Sequence, residues 1–146
     1  MFALLDSDEL RELQPAELIL ECAGVRHAPP YDPATLDGLR AANARLRAAA
    51  DPAAAATADE EFHRTLTERC GNPRLLAVLE SLRRRLAPYR RAYLADAARV
   101  ERSAEQHDAI LGALERGDHP AAESRLRQYV TTGLAELVAQ LERQPA

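Results

Sequence analysis

Apolar residues recur at spacings of three and four along most of the chain, which is the pattern of amphipathic helices. Three dipeptides, Asp32-Pro33, Asp51-Pro52 and Asn72-Pro73, place an N-cap residue directly before a proline at the first helical position. Gly71 and Gly117 stand where helices are expected to end, because glycine accepts the left-handed conformation of a C-cap. Together these signals divide the chain into helices.

The pattern predicts six helices, with boundaries good to about two to four residues. They cover about 7–27, 33–50, 52–70, 73–99, 104–116 and 119–143. No segment alternates in the manner of a strand, and β-branched and aromatic residues are few. The predicted fold class is therefore all-α, a bundle of about six helices that occupies residues 1–146 as one domain.

Capping and proline signals refine these boundaries. Ser103 and Gln106 have the spacing of a capping box, as Asp6 and Glu9 do at the first helix. Pro15 leaves open a restart of the first helix after Gln14. Pro88 predicts a kink in the fourth helix, because proline removes a backbone hydrogen bond.

Composition limits the classes of function. With 47% hydrophobic and 29% charged residues, the chain is globular, and its net charge of −4 argues against a protein that is basic over a whole nucleic-acid-binding face. No apolar run approaches the roughly 18 residues of a membrane span. Cys22 and Cys70 have no CxxC spacing and are expected to be reduced core residues. These observations predict a cytoplasmic protein that makes no contact with a membrane.

Polar residues interrupt the apolar faces of three helices. Asp59 and His63, four residues apart, share the inner face of the third helix, and His107 lies in the apolar stripe of the fifth. Tyr129 points inward from the sixth. Each alone is more often an ordinary hydrogen-bonded core residue. Two histidines and a carboxylate together are harder to leave unpaired, and bundle cores are where such folds build metal and ligand sites.

Two longer segments resemble a known family. "DEEFHRTLTERCGNPRLL" and "SAEQHDAILGALERGDHPAAESRLRQYV" look like the C-terminal ligand-sensing (FCD) domain of the FadR-like branch of GntR transcription regulators. "LRELQPAEL" resembles the start of that family's first sensing helix, with Gln14 in place of a glutamate. The resemblance runs from about Glu9 to Leu141, and the order and spacing of the segments make it specific.

The resemblance implies an antiparallel helical bundle, in the centre of which many family members hold a divalent metal with one Asp and three His. Asp59, His63 and His107 match the first three ligands, whereas Tyr129 stands at the last position and a neutral phenol is a poor ligand. Two alternatives stay open. Three protein ligands can hold zinc, nickel or manganese with open positions, or the site has lost its metal and these side chains bind the effector directly.

The effector implied by the resemblance is a small organic acid. Arg11 aligns with an arginine that family members aim at the acid group, although a solvated surface arginine is an equal alternative. Arg83 and Arg90 flank the apolar stripe of the fourth helix and could reach an anion. The residues expected to bind the effector are Arg11, Arg83 and Tyr129.

The expected function is an effector-sensing and homodimerisation domain of a transcription regulator, without enzymatic activity. The family's winged helix-turn-helix domain is not found in residues 1–146, so DNA binding is expected only through such an attached domain. The alternative is a small metal-dependent hydrolase that uses Glu60 or Glu61 as base. Each residue turns the helix by about 100°, which carries these glutamates away from the site face.

Overall fold

The computed structural model describes residues 5–144, which form six α-helices and one short 3₁₀ turn, Glu68–Cys70. The helices are α1 (Ser7–Arg26), α2 (Pro33–Arg47), α3 (Pro52–Thr67), α4 (Pro73–Tyr93), α5 (Ala97–Glu115) and α6 (His119–Arg143). Residues 5–144 contain no strand, and the predicted all-α bundle is confirmed. No helix in this part of the chain is long and apolar enough to cross a membrane.

The predicted helix starts at the proline dipeptides are confirmed. The side chains of Asp32, Asp51 and Asn72 each accept a hydrogen bond from a backbone N–H of the first turn that follows. Gly71 and Gly117 both have positive φ, at 76° and 71°, and they end the turns that precede them. Here the local signals alone determine the structure.

The boundary between the fourth and fifth helices was predicted wrongly. α4 ends at Tyr93 and α5 begins at Ala97, because the Asp96 side chain accepts the N–H of Ala98 and caps the new helix. Ser103 therefore lies inside α5 and does not cap it. The segment "YLADAARV" has high helix propensity and no Gly or Pro, which concealed the break.

The first helix is continuous as predicted, but its start differs from the prediction. Pro15 lies inside α1, which runs without interruption, so the helix does not restart there. The predicted capping box does not form: the Asp6 N–H donates to the Tyr89 hydroxyl at 3.0 Å, and that hydroxyl donates to Glu9 at 2.8 Å. The start of α1 is thus tied to α4. Pro88 lies within α4, which continues to Tyr93.

The helices pack so that α1 contacts α3, α4 and α6, while α2 packs on α3 and α5. Three apolar clusters fill the interior. One contains Phe62, Ile110 and Leu126, the second Leu10, Leu86 and Leu137, and the third Leu46, Leu94 and Ala104. Residues from all three clusters border one internal cavity, which also receives the inward-facing polar side chains.

Candidate metal and effector site

Asp59, His63 and His107 meet inside the bundle. The Nε2 atoms of His107 and His63 lie 3.2 Å and 3.7 Å from Asp59 Oδ1. One possible ligand atom from each residue falls within 4.8 Å of the others, and all three residues are buried. Helices α3 and α5 thus bring together the three residues that the sequence predicted as ligands.

Both histidines are oriented by oxygen atoms behind them. His63 Nδ1 lies 3.0 Å from Glu21 Oε2, and His107 Nδ1 lies 2.9 Å from Asn43 Oδ1. An Nδ1–H donated to such an oxygen leaves Nε2, the atom turned towards Asp59 in each ring, as the nitrogen that can bind a metal ion once it has lost its own proton. Histidines that bind metals are commonly oriented in this way.

Packing and further hydrogen bonds hold these two oxygen atoms and the rings in place. The ring of Phe62 stacks on His107, with centroids 3.8 Å apart and planes 3° from parallel. Asn43 donates to the Ala104 carbonyl and to Asp108, at 3.0 Å and 2.9 Å. Helices α1, α2, α3 and α5 therefore all contribute residues that hold the two histidines in place.

Glu21 is held from a second side by Arg83. Arg83 donates to Glu21 at 3.1 Å, to the His63 carbonyl at 3.2 Å and to the Thr67 hydroxyl at 3.1 Å. Arg83 is almost fully buried, and it does not border the cavity. Its contacts support the histidine through Glu21, and they give no indication of the effector contact that the sequence analysis expected of Arg83.

The protonation of the three residues follows from burial and from neighbouring charges. Burial opposes the charge on Asp59, but the two histidines and Arg90 hold the pKa of that carboxyl well below its usual range. Burial likewise opposes the charge on His63, but the Glu21 and Asp59 carboxylates outweigh it and raise the pKa of His63 to about 9. Burial lowers the pKa of His107. The Asp59 carboxyl group is thus ionised at neutral pH and offers anionic oxygens to a metal ion.

Arg90 connects the other carboxylate oxygen to α1. Its Nε lies 2.9 Å from Asp59 Oδ2, and one terminal nitrogen lies 3.4 Å from Glu17. Burial, followed by the Glu21 charge, raises the pKa of Glu17. Arg90 therefore leaves Asp59 Oδ1 to face the two histidines while it neutralises the opposite side of the carboxylate.

A cavity of about 90 Å³ adjoins these residues. Its polar lining comes from four helices, α1, α3, α4 and α5, and comprises Gln14, Glu17, Asp59, His63, Arg90, Ser103, Gln106 and His107. Three tyrosines, Tyr89, Tyr93 and Tyr129, and the apolar side chains of Leu10, Leu86, Leu94, Ile110, Leu126, Val130 and Leu137 complete it. The cavity can hold a small molecule with a polar head and a short apolar part.

Two of the expected effector residues occupy very different positions. Tyr129 lines the cavity, and its hydroxyl accepts a hydrogen bond from Arg125 at 3.2 Å. Arg11 is exposed, pairs with Asp8 and Glu142, and is not part of the cavity wall. This position does not support an effector contact for Arg11.

Sequence analysis missed the residues that orient the histidines. Glu21 and Asn43 are polar residues on the buried faces of amphipathic helices. Their position on those otherwise apolar faces is the sequence feature that could have identified them. Their histidine partners lie 42 and 64 residues further along the chain, and helical periodicity cannot pair residues across helices. Arg90 was named as a residue that could reach an anion, and the structure places it in the cavity wall.

The donor set fits a divalent transition metal. Two imidazole nitrogens and one carboxylate oxygen suit zinc and similar ions, and the occupied Nδ1 atoms leave only Nε2 to bind. By contrast, the glutamates considered as a hydrolytic base face elsewhere. Glu60 pairs with Arg64 at 2.7 Å, Glu61 pairs with Arg45 at 2.6 Å, and neither lines the cavity.

Comparisons with known proteins agree with this fold. The model of the FCD domain family matches residues 12–132, and the chain therefore belongs to that family. The structure is similar to the crystal structure of a GntR-family transcriptional regulator from Pseudomonas syringae pv. tomato str. DC3000, with a TM-score of 0.78 and 18% sequence identity. The match covers 96% of this chain and 60% of that protein. A comparison with curated proteins gave no significant match.

The family match and the helical fold together support a ligand-sensing regulatory domain. Neither comparison identifies an effector or a metal.

Proposed function

We propose that this domain senses a small carboxylate-bearing metabolite in the central cavity, as part of a transcription regulator. The observation that carries the proposal is the shared wall of the cavity. Asp59, His63 and His107 present their free ligand atoms there, beside the buried guanidinium of Arg90. Arg90 already pairs with Asp59 and Glu17, but its second terminal nitrogen has no partner among the described residues and can donate to an anionic ligand.

In this proposal Asp59, His63 and His107 hold a divalent metal ion such as zinc, nickel or manganese. The ion, when bound, supplies positive charge and open coordination positions for an effector carboxylate. Glu21 and Asn43 fix the histidine rings, while Tyr129 and Arg90 contact the effector itself.

The regulatory output follows from the position of the cavity among the helices. Five helices contribute to its wall, so a ligand that contacts them all favours one arrangement of the bundle over another. We propose that this shift is transmitted through a homodimer to an attached winged-helix domain, which carries the DNA contacts. The domain performs no catalysis in this account.

Calorimetry on protein loaded with zinc tests the proposal. A panel of short carboxylic acids is titrated, with the corresponding amides as matched neutral ligands. Binding of at least one acid, without binding of its amide, is expected, because the site supplies positive charge. Failure of every acid to bind, or turnover of ester or phosphoester substrates, would contradict it.

The dimer and DNA parts are tested separately. Light scattering at tens of micromolar protein is expected to give a dimer, since closed two-fold symmetry is the commonest state of soluble oligomers. A mobility-shift assay on the intergenic DNA upstream of the gene for this chain is expected to show no sequence-specific binding by residues 1–146. Their net charge of −4 disfavours contact with DNA phosphates. A monomer in light scattering would contradict the proposed homodimer. A sequence-specific mobility shift would contradict the proposal that an attached domain carries the DNA contacts.

A further inference from the structure

Two buried polar atoms in the cavity wall have no hydrogen-bond partner among the described residues. They are Gln14 Oε1, on α1, and one terminal nitrogen (NH1) of Arg90, on α4. Buried polar groups in folded proteins are almost always paired, because an unpaired one loses its hydration without compensation. An acceptor and a donor left over in the same cavity indicate a ligand that supplies both complements.

The Arg90 atom calls for an anionic acceptor. The Nε and the other terminal nitrogen of Arg90 already contact Asp59 and Glu17, and the side chain is only 10% exposed. The remaining nitrogen can donate to a carboxylate oxygen of the ligand. This places the acid group of the effector at the α4 side of the cavity.

Gln14 calls for a second group on the same ligand. It lies three residues before Glu17 on the same face of α1, and Gln14, Glu17 and Arg90 all line the cavity. A hydroxyl can donate to the amide oxygen and accept from the amide nitrogen, whereas an ammonium group can only donate. Only the Gln14 amide oxygen is left unpaired, so the ligand group must donate a hydrogen bond, and a hydroxyl does so without the positive charge that the Arg90 guanidinium in the same cavity wall would repel.

We propose that Gln14 determines effector specificity by reading a hydroxyl group close to the carboxylate that Arg90 binds. The effector is then a short-chain hydroxy acid. This inference rests on the proposed function and narrows its ligand class.

Matched ligand pairs on zinc-loaded protein test it by calorimetry. Lactate is compared with propionate, and malate with succinate, so that each pair differs by one hydroxyl. For at least one pair, the wild-type chain is expected to prefer the hydroxy acid by at least about tenfold, because the deoxy acid leaves the amide unpaired. In Gln14→Leu this preference is expected to fall to about twofold or less, while Gln128→Leu, an exposed glutamine on α6, retains it.

The outcomes separate this inference from the proposed function. Equal wild-type affinity within each pair, or an unchanged preference in Gln14→Leu, would overturn the role of Gln14 and leave a carboxylate sensor standing. Tighter binding of alanine than of lactate would overturn the hydroxyl assignment. Failure of all acids, hydroxylated or not, would remove the proposed function and this inference with it. If Gln14→Leu does not fold, the wild-type pairs alone still decide the hydroxyl preference.

Discussion

The carboxylate of Glu21 and the imidazole of His63 form a buried contact of 3.0 Å that joins α1 to α3. Glu21 is completely buried and His63 nearly so. The contact fixes which nitrogen of His63 faces Asp59, and Arg83 holds Glu21 in place from behind. Glu21, which is 42 residues from His63 in the sequence, thus orients the His63 ring in the proposed metal site.

Replacing this carboxylate by its amide tests that relationship. Glu21→Gln preserves the size of the side chain but removes the anion that orients His63. We expect its zinc affinity to fall about 10- to 100-fold, the usual effect of losing such an orienting partner. Glu105→Gln, at an exposed position on α5, is the matched control. Unchanged zinc affinity in a folded Glu21→Gln protein would mean that the Glu21 carboxylate is not needed to orient His63 for the metal.

Tyr129 stands where the family resemblance implies a third histidine, and it lines the cavity. We expect Tyr129→His to supply a fourth protein ligand and to tighten zinc binding about tenfold or more. Calorimetric titration of both proteins with zinc measures the change. No gain in a folded variant would show that position 129 does not reach the metal.

Glu123 connects α6 to α1 through Arg26 and contacts Arg127 at 3.1 Å. Hydrogen bonds from Arg26 and Arg127 lower the pKa of Glu123 despite its partial burial. A carboxyl whose folded pKa is lowered stabilises the protein above its unfolded pKa of about 4.3, and this stabilisation is lost as the pH falls through the folded value.

Urea unfolding of Glu123→Gln at several pH values measures this contribution. We expect the variant to be less stable than the wild type by about 1 kcal/mol at pH 7, with the difference shrinking progressively in acid. Glu105→Gln should show no comparable loss at any pH. A difference that stays constant down to the acid limit would contradict the electrostatic explanation.

Two glycines at the end of α5 should respond oppositely to alanine. Gly117 has a φ of 71°, so Gly117→Ala is expected to destabilise the fold by about 1–2 kcal/mol. Gly112 lies inside the helix, where a Cβ meets only the flexible end of Arg116 at 3.5 Å. Gly112→Ala is expected to stabilise by about 0.5–1 kcal/mol. Thermal unfolding of both variants would contradict the account if the signs were reversed.

Much of the fold follows from local signals in the sequence. The Asp-Pro and Asn-Pro starts and the two C-terminal glycines act within one helical turn, so their effects can be read directly. The start of α5 was missed because Asp96 lies in a segment of strong helix formers, and only its contact with Ala98 reveals the break. Propensity alone cannot locate a cap within such a segment.

The candidate site likewise has a part that the sequence predicted and a part that it did not. Helical periodicity placed Asp59, His63 and His107 on inner faces, and the structure brings them together. The rotation of each helix about its axis depends on packing, however, and periodicity does not give it. For that reason the pairing of Glu21 with His63 could not be predicted from the sequence. The alignment that favoured Arg11 likewise did not anticipate its pairing with Glu142 on the surface.

The most direct test of the central claim compares bound zinc in the wild type and in His107→Ala. After loading and removal of excess metal, elemental analysis is expected to find about one zinc ion per wild-type chain and much less in the variant, since removing a ligand costs about tenfold or more in affinity. His27→Ala, at the exposed C-cap of α1, should bind as much zinc as the wild type. Equal zinc in wild type and His107→Ala, or none in the wild type, would contradict a metal centre formed by Asp59, His63 and His107.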